Sequence, residues 1–314
     1  MSPRVLGARA GDVEDDDFDE FDRASGYSRP RTKRRPDYAA APTGRVLGVD
    51  RGRFTVALDT GEEVRAIKAR PLGRKSVVVG DRVRLQGDLS GEADALARIV
   101  EVLPRTTLLR RSADDTDPVE RPLVANVDQL LIVTAAANPA PSITMIDRLI
   151  IAAQVSDIDP LIVVTKTDLA SADDIIDAYQ ALGVPIVATQ KGADLTPVRE
   201  LLAGRTTVLV GHSGVGKSTL INALVPGADR ATGHVNDVTG KGRHTSSSAV
   251  ALRTDQPDTW VIDTPGVRSF GLAGVSEDAV AAAFPDVEAI AEGRFGAARV
   301  AALTRILGAL SKSG

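Results

Sequence analysis

The pattern of apolar and polar positions divides the chain into stretches of different rhythm. From Arg45 to about Leu103 the apolar positions recur with a period of two. Val46 with Leu47, then Phe54, Val56 and Leu58, Val64 and Ala66, Val77 to Val79, Val83 and Leu85, and Ile99 to Leu103 read as short strands, with Asp59-Thr60-Gly61 as a hairpin turn. About five strands in so short a stretch predict a small closed β-barrel, with the OB-fold and the SH3-like barrel as the two candidates. Near Val127 the alternation gives way to compact apolar runs at 130–133, 160–164, 185–187, 207–210 and 260–262, the mark of buried parallel strands. Helical patterns lie between several of them, at 144–155, 172–182, 196–202 and 217–224, so an α/β domain with a mainly parallel sheet is expected. After Ser276 the chain turns helical, and Val300, Leu303, Ile306, Leu307 and Leu310 mark one amphipathic face.

Residues 1–41 follow none of these periods. Asp12, Glu14 to Asp17, Asp19, Glu20 and Asp22 form an acidic run, and Arg29, Arg31, Lys33, Arg34 and Arg35 a basic one. Blocks of like charge repel and bury little, so a disordered charged tail is expected, either merely solvated or with its basic arm on RNA phosphates. Composition narrows the rest. A hydrophobic share of 43% and a charged share of 25% exclude a wholly disordered or fibrous chain, and 3% aromatics imply an aliphatic core. No apolar run approaches the roughly 20 residues that cross a bilayer, and the N-terminus lacks the apolar stretch of a signal peptide. A cytoplasmic protein with no membrane contact, monomeric by default, is the expectation. With no cysteine, disulfides, thiol nucleophiles and Cys-based zinc sites are excluded, and His212, His234 and His244 are the only histidines. The net charge of -4 gives no overall attraction to nucleic acid. Yet Arg51, Arg53, Arg65, Lys68, Arg70, Arg74, Lys75, Arg82 and Arg84 decorate the barrel, either as an RNA-binding surface or as solvated edge charges.

The chemistry concentrates at Gly211-His212-Ser213-Gly214-Val215-Gly216-Lys217-Ser218-Thr219. This is G-x-x-x-x-G-K-[ST], preceded by the apolar run 207–210 and followed by a helical pattern. Its glycines let backbone N–H groups curl around phosphate oxygens, and the helix N-terminus adds favourable dipole charge. Lys217 is placed to reach the β- and γ-phosphates, and the Ser218 hydroxyl to ligate Mg²⁺. A nucleoside triphosphate site follows.

Asp168, in Thr165-Lys166-Thr167-Asp168 at the end of run 160–164, selects the base. Its carboxylate can accept from guanine N1–H and the N2 amine, whereas adenine would leave it unpaired. The Lys166 stem can cover the base. Thr165 stands where GTPases usually carry Asn, so a hydroxyl replaces one side-chain amide contact to the base. Ala188 and Thr189, just past run 185–187, join the candidate GTP-binding set. Asp263-Thr264-Pro265-Gly266 follows run 260–262. Asp263 can hold Mg²⁺ through water, and the Gly266 N–H can meet the γ-phosphate. The polar, glycine-rich stretch 226–248 suits a switch that orders around that phosphate, with Thr245 and Ser246 as further Mg²⁺ candidates.

The order of these motifs is unusual. In Ras-like GTPases the phosphate loop comes first and the base-reading loop last; here Asp168 precedes the phosphate loop, so the GTPase domain is circularly permuted. With a barrel before it, Leu108-Leu109-Arg110-Arg111-Ser112 at the barrel exit and Gly242-Arg243-His244-Thr245 in the switch, the chain resembles the small-ribosomal-subunit-dependent GTPases of the RsgA/YjeQ family over about residues 43–285. The resemblance implies an N-terminal OB-fold, slow GTP hydrolysis stimulated by the small (30S) ribosomal subunit, a role in late maturation of that subunit, and contacts to its rRNA. The domains expected are a tail over 1–41, an OB-fold RNA-binding barrel over 42–106, the permuted GTPase over 107–275 and a helical C-terminal domain over 276–314. Similar proteins usually end in a zinc-binding domain with Cys and His ligands, but residues 288–314 contain neither, so no zinc is expected. Val267 stands where Ras-like enzymes carry a water-orienting Gln. Unstimulated turnover on the order of 10⁻⁴–10⁻² s⁻¹ is therefore expected, with His244, Lys217 and Gly266 as the catalytic candidates. A signalling GTPase whose barrel binds protein, and a P-loop ATPase in which Asp168 is incidental, are the competing readings.

Overall fold

The computed structural model describes residues 37–73, 76–92, 94–111, 121–228 and 249–264, together with positions 300, 301, 304, 305 and 308. The acidic and basic runs, Arg74, Lys75, Ser112, most of 276–314 and the apolar positions Leu303, Ile306, Leu307 and Leu310 lie outside the described residues. Contacts separate Met1–Asp37 from a unit spanning Tyr38–Gly314, to which every element below belongs.

The expected barrel is built from β1 (Thr43–Asp50), β2 (Arg53–Leu58), β3 (Glu63–Lys68), β4 (Arg82–Gly87) and β5 (Ala97–Val102). Strand order β1-β2-β3-β5-β4 closes on itself through a β1–β4 pairing. The alternating apolar positions point inward, where Val46, Phe54, Val56, Val64, Ala66, Val83, Leu85 and Ile99 form one core. The run Val77–Val79 departs from expectation and forms no strand of the barrel. Only Val79 bridges, to Val124. The reason is the buried Asp81, whose carboxylate accepts the Val78 N–H at 2.8 Å and binds Arg105 through two nitrogens, fixing a turn where three valines favour extension.

After the barrel, β6 (Leu108–Arg111) and β7 (Arg121–Ala125) form an antiparallel ribbon. The α/β layer follows as β8 (Gln129–Ala135), α1 (Ile143–Val155), β9 (Asp159–Thr165), α2 (Asp173–Tyr179), β10 (Ile186–Ala188), α3 (Thr196–Leu202), β11 (Thr206–Val210), α4 (Lys217–Leu224), β12 (Val250–Arg253) and β13 (Trp260–Asp263). Strands β10-β9-β8-β11-β13 run parallel, and β12 adds antiparallel to β13. Strand β8 is buried along its whole length, which is why its sequence shows no alternation.

Barrel and α/β layer share one sheet. The first half of β1 pairs with β4 (Thr43 opposite Arg84), while Gly48 pairs with Val250 of β12. A register shift between Val46 and Gly48 separates the two halves. Beside it, Arg45 donates to the Thr206 hydroxyl at 3.0 Å and lies 5.6 Å over the Trp260 ring. Burial, then the charge of Arg82, hold the Arg45 pKa below its ordinary value.

Candidate nucleotide site

The sheet order brings the motifs that are separated in sequence to one edge, the C-terminal ends of β8, β9, β11 and β13. There β11 ends at Val210 and α4 begins at Lys217, so residues 211–216 form the phosphate loop. Gly211 cannot be replaced: a Cβ there would lie 2.3 Å from the Val133 carbonyl oxygen of β8. Gly216 caps α4 at φ 94, in the left-handed region. The loop therefore presses on β8 and leads directly into the N-terminus of α4, where backbone N–H groups without intrahelical partners suit phosphate. Ser213, Ser218 and Thr219 are exposed there, His212 is half-buried, and Gly214 lies at φ 82.

Lys217 links this loop to β13. Its Nζ donates to the Thr264 carbonyl at 2.7 Å and lies 2.9 Å from Asp263 Oδ1, an ion pair outside hydrogen-bonding direction. The Thr264 hydroxyl in turn donates to the Leu209 carbonyl at 2.6 Å, fastening the end of β13 to β11. Thus Asp263 and Ser218, expected on Mg²⁺, flank the same lysine.

Beside the 165–168 loop lies a cavity of about 330 Å³ lined by Asp168, Lys166, Thr165, Thr189, Gly216 and Thr219, among others. Buried Leu220, partly buried Leu195 and exposed Leu169 give it apolar walls. Leu169, in the loop after β9, and Gln190, Lys191 and Leu195, in the loop after β10, lie outside the sequence expectation because loop residues carry no periodic signal. Lys166 sits at φ 57 and donates through Nζ to the Asn138 carbonyl. Thr167 donates to the Thr189 carbonyl through its hydroxyl, at 3.1 Å, which holds the 165–168 and 188–189 loops together. The buried Thr189 hydroxyl has no hydrogen-bond partner among the described residues. Ala188 ends β10 beside this loop and is absent from the cavity lining.

Thr165, only 7% exposed and part of the cavity lining, places its hydroxyl 2.5 Å from the Val215 carbonyl and 3.1 Å from the Thr134 carbonyl. A hydroxyl has one proton and can satisfy one carbonyl at a time. Thr165 is therefore a staple between the base-reading strand and the phosphate loop. His234, His244, Thr245, Ser246, Gly266 and Val267 lie outside the described residues, as does the segment 229–248. On the barrel, Arg82 pairs with Asp59 at 2.6 Å and Arg84 with Glu101 at 3.1 Å, so these two serve the barrel itself, while Arg51, Arg53, Arg65 and Arg70 are exposed. Among the described residues, no helix is long and apolar enough to cross a membrane.

A family model described as RsgA GTPase matches residues 102–273. The small ribosomal subunit biogenesis GTPase RsgA of Gemmatimonas aurantiaca is 37% identical over 254 residues, covering 78% of this chain and 82% of that protein. Its namesake in Alcanivorax borkumensis is 39% identical over 212 residues, covering 65% of this chain and 58% of that protein, so the chain spans less than two thirds of this longer relative. Among solved structures, YjeQ from Thermotoga maritima is 26% identical with a TM-score of 0.60, covering 86% of this chain and 98% of the other. YloQ, described as a circularly permuted GTPase, shares the fold at 21% identity, with a TM-score of 0.63 over 90% of this chain and 99% of its own.

Proposed function

This chain belongs to the RsgA GTPase family and hydrolyses GTP, and from that premise we propose that it is a cytoplasmic switch for late maturation of the small ribosomal subunit, turning over slowly alone and faster on the subunit. The observation that carries the mechanism is the meeting of Lys217 with Asp263 and Thr264. Incoming phosphates compete with the Thr264 carbonyl for the Lys217 ammonium, so nucleotide arrival changes the partners of the segment that leads to Gly266. This converts phosphate occupancy into a change at a switch. Asp168 reads guanine in the cavity, the 211–216 backbone and Lys217 hold the phosphates, and the Gly266 N–H meets the γ-phosphate. His244 orients the attacking water once the switch is ordered.

Magnesium suits the donors present, which are hard oxygens: the Ser218 hydroxyl and the Asp263 carboxylate, with Thr245 or Ser246 from the switch. Among the described residues no group of three His, Cys, Asp or Glu could hold a metal alone, so nucleotide phosphates and water would complete the shell. When bound, the ion neutralises charge on the β- and γ-oxygens. Zinc has no part in the proposal, since the chain lacks cysteine. The exposed arginines of the barrel support rRNA as its partner, with the protein acting as a monomer.

The test is steady-state hydrolysis of GTP and ATP with and without purified small ribosomal subunits. GTP turnover rising at least about tenfold with subunits, with ATP turnover unmoved, is the expected result. An unchanged GTP rate would overturn the ribosomal assignment, and equal use of ATP would overturn the role of Asp168.

A further inference from the structure

A chain without cysteine cannot fasten its C-terminal segment by a disulfide or a thiolate-bound metal. Positions 300, 301, 304, 305 and 308 are nevertheless helical, and Arg305 reaches far back in the chain. Its Nε donates to Asp147 at 3.0 Å and 3.3 Å, one distance to each carboxylate oxygen. One terminal nitrogen donates to the Ala178 carbonyl at 3.3 Å, and the guanidinium lies 4.9 Å from the Tyr179 ring centroid. Asp147 belongs to α1 and is only 1% exposed, whereas Ala178 and Tyr179 form the last turn of α2. The Tyr179 hydroxyl completes the cluster, donating to Asp147 at 2.8 Å and approaching the Ile143 carbonyl at 3.2 Å.

We propose that Arg305 is the clasp of a C-terminal strap: it joins α1 to α2 and holds the tail of the chain on the GTPase domain. The chemistry is specific to a guanidinium. Nearly buried Asp147 would be costly as a lone charge, and Arg305 neutralises it. Its charge sits over the Tyr179 ring within cation–π range, and a cation beside the last carbonyls of α2 matches the negative end of that helix. Lysine has the charge but neither the fork nor the flat face. Burial first, then the neighbouring Asp147 charge, raise the Tyr179 pKa, so its phenol stays protonated as a donor to that carboxylate. The two helices so joined lead out of the Asn138 and Asp168 loops, although the strap itself stands on contacts independent of the nucleotide reading.

The full chain carrying Arg305→Met tests this by limited thermolysin digestion, with hydrogen exchange across α1 and α2. Circular dichroism and fluorescence of the single Trp260 check that the domain is folded. Cleavage within 296–310 should rise at least about tenfold, a figure kept low because the Arg305 side chain is 33% exposed. Exchange at 175–179 should quicken in parallel. Asp147→Asn should release the strap comparably, and adding Arg305→Met to it should change little more, because both remove the same pair. Arg305→Lys should fall between wild type and Arg305→Met. Should Arg305→Met unfold the domain, Asp147→Leu combined with Arg305→Met keeps the core apolar and must still release the tail. Wild-type cleavage in Arg305→Met, or effects of the two single variants that simply add, would overturn the proposal.

Discussion

Thr165→Val separates two roles for the residue that stands in the usual Asn position. Valine keeps the shape of threonine and deletes the hydroxyl that meets the Val215 and Thr134 carbonyls. Because the site is buried, the lost bond and a carbonyl left short of a donor together cost about 1–2 kcal/mol. That cost falls on the phosphate loop, since Val215 is the residue before the Gly216–Lys217 turn. At about 1.4 kcal/mol per factor of ten, GDP and GTP affinity should drop roughly 5- to 30-fold.

The preference for guanine should not move. Displacement of a fluorescent GDP analogue by GDP and by ADP gives both quantities in one titration series, with Thr165→Ser as the control that keeps the hydroxyl. A GDP-to-ADP affinity ratio within about twofold of wild type is expected. If GDP affinity fell while that ratio collapsed, the hydroxyl would be reading the base and the staple would be refuted. Unchanged GDP affinity would refute it as well, by showing that the bond does not shape the loop.

Asp168→Asn should lower GDP affinity by about 10²-fold or more and raise affinity for xanthosine diphosphate, whose second carbonyl accepts from the amide, as read by the same displacement titration. Thr189→Val removes a buried hydroxyl that has no partner among the described residues, so the melting temperature should hold or rise slightly; a fall of several degrees in thermal denaturation would show that the hydroxyl is bonded in solution. Acid stability should carry the mark of Asp59. Hydrogen bonds from Arg82 hold its pKa below the ordinary carboxylate value, burial opposing and the Thr43 hydroxyl assisting. A lowered folded-state pKa gives stability that is complete above the unfolded value of about 3.9 and lost as pH falls through the folded value. Melting temperatures from about pH 5 to about pH 2 should therefore decline less steeply in Asp59→Asn than in wild type.

The legible parts of the sequence were those that repeat or that pair a motif with its local setting. Buried strands β8, β9 and β11 showed as unbroken apolar runs, and the phosphate loop showed because strand, glycines and helix lie together in the chain. Thr165 was placed correctly at its strand end, but its partner Val215 is 50 residues away and no local pattern announces that bond. The Val77–Val79 turn was missed for the same reason. Its cause is an acidic side chain four residues beyond Val77, held by Arg105 from another part of the barrel. No local pattern marks Arg305 either, since its partner Asp147 lies 158 residues away.

The same long-range pairing joins the two halves of the molecule, which read in sequence as consecutive domains. Strand β1 begins as a barrel strand and ends as a neighbour of β12, with the register shift at Val46–Gly48 between. Hydrogen-bonded strands slide with difficulty, because a one-residue slip turns every side chain to the opposite face. Here that would expel Leu47 from the core it shares with Ala251 and Ile262. Strand β12 pairs along its length with β13, whose last residue, Asp263, faces Lys217. The ladder therefore runs without a break from Asp263 at the end of β13 through β12 to Gly48 of the barrel. Arg45 adds a side-chain tie through Thr206 and Trp260 to the same two neighbouring strands, β11 and β13. The barrel is thus bonded to β12, β11 and β13, the last of which ends at Asp263 beside Lys217, so barrel and α/β layer are joined by backbone and side-chain bonds rather than by a linker.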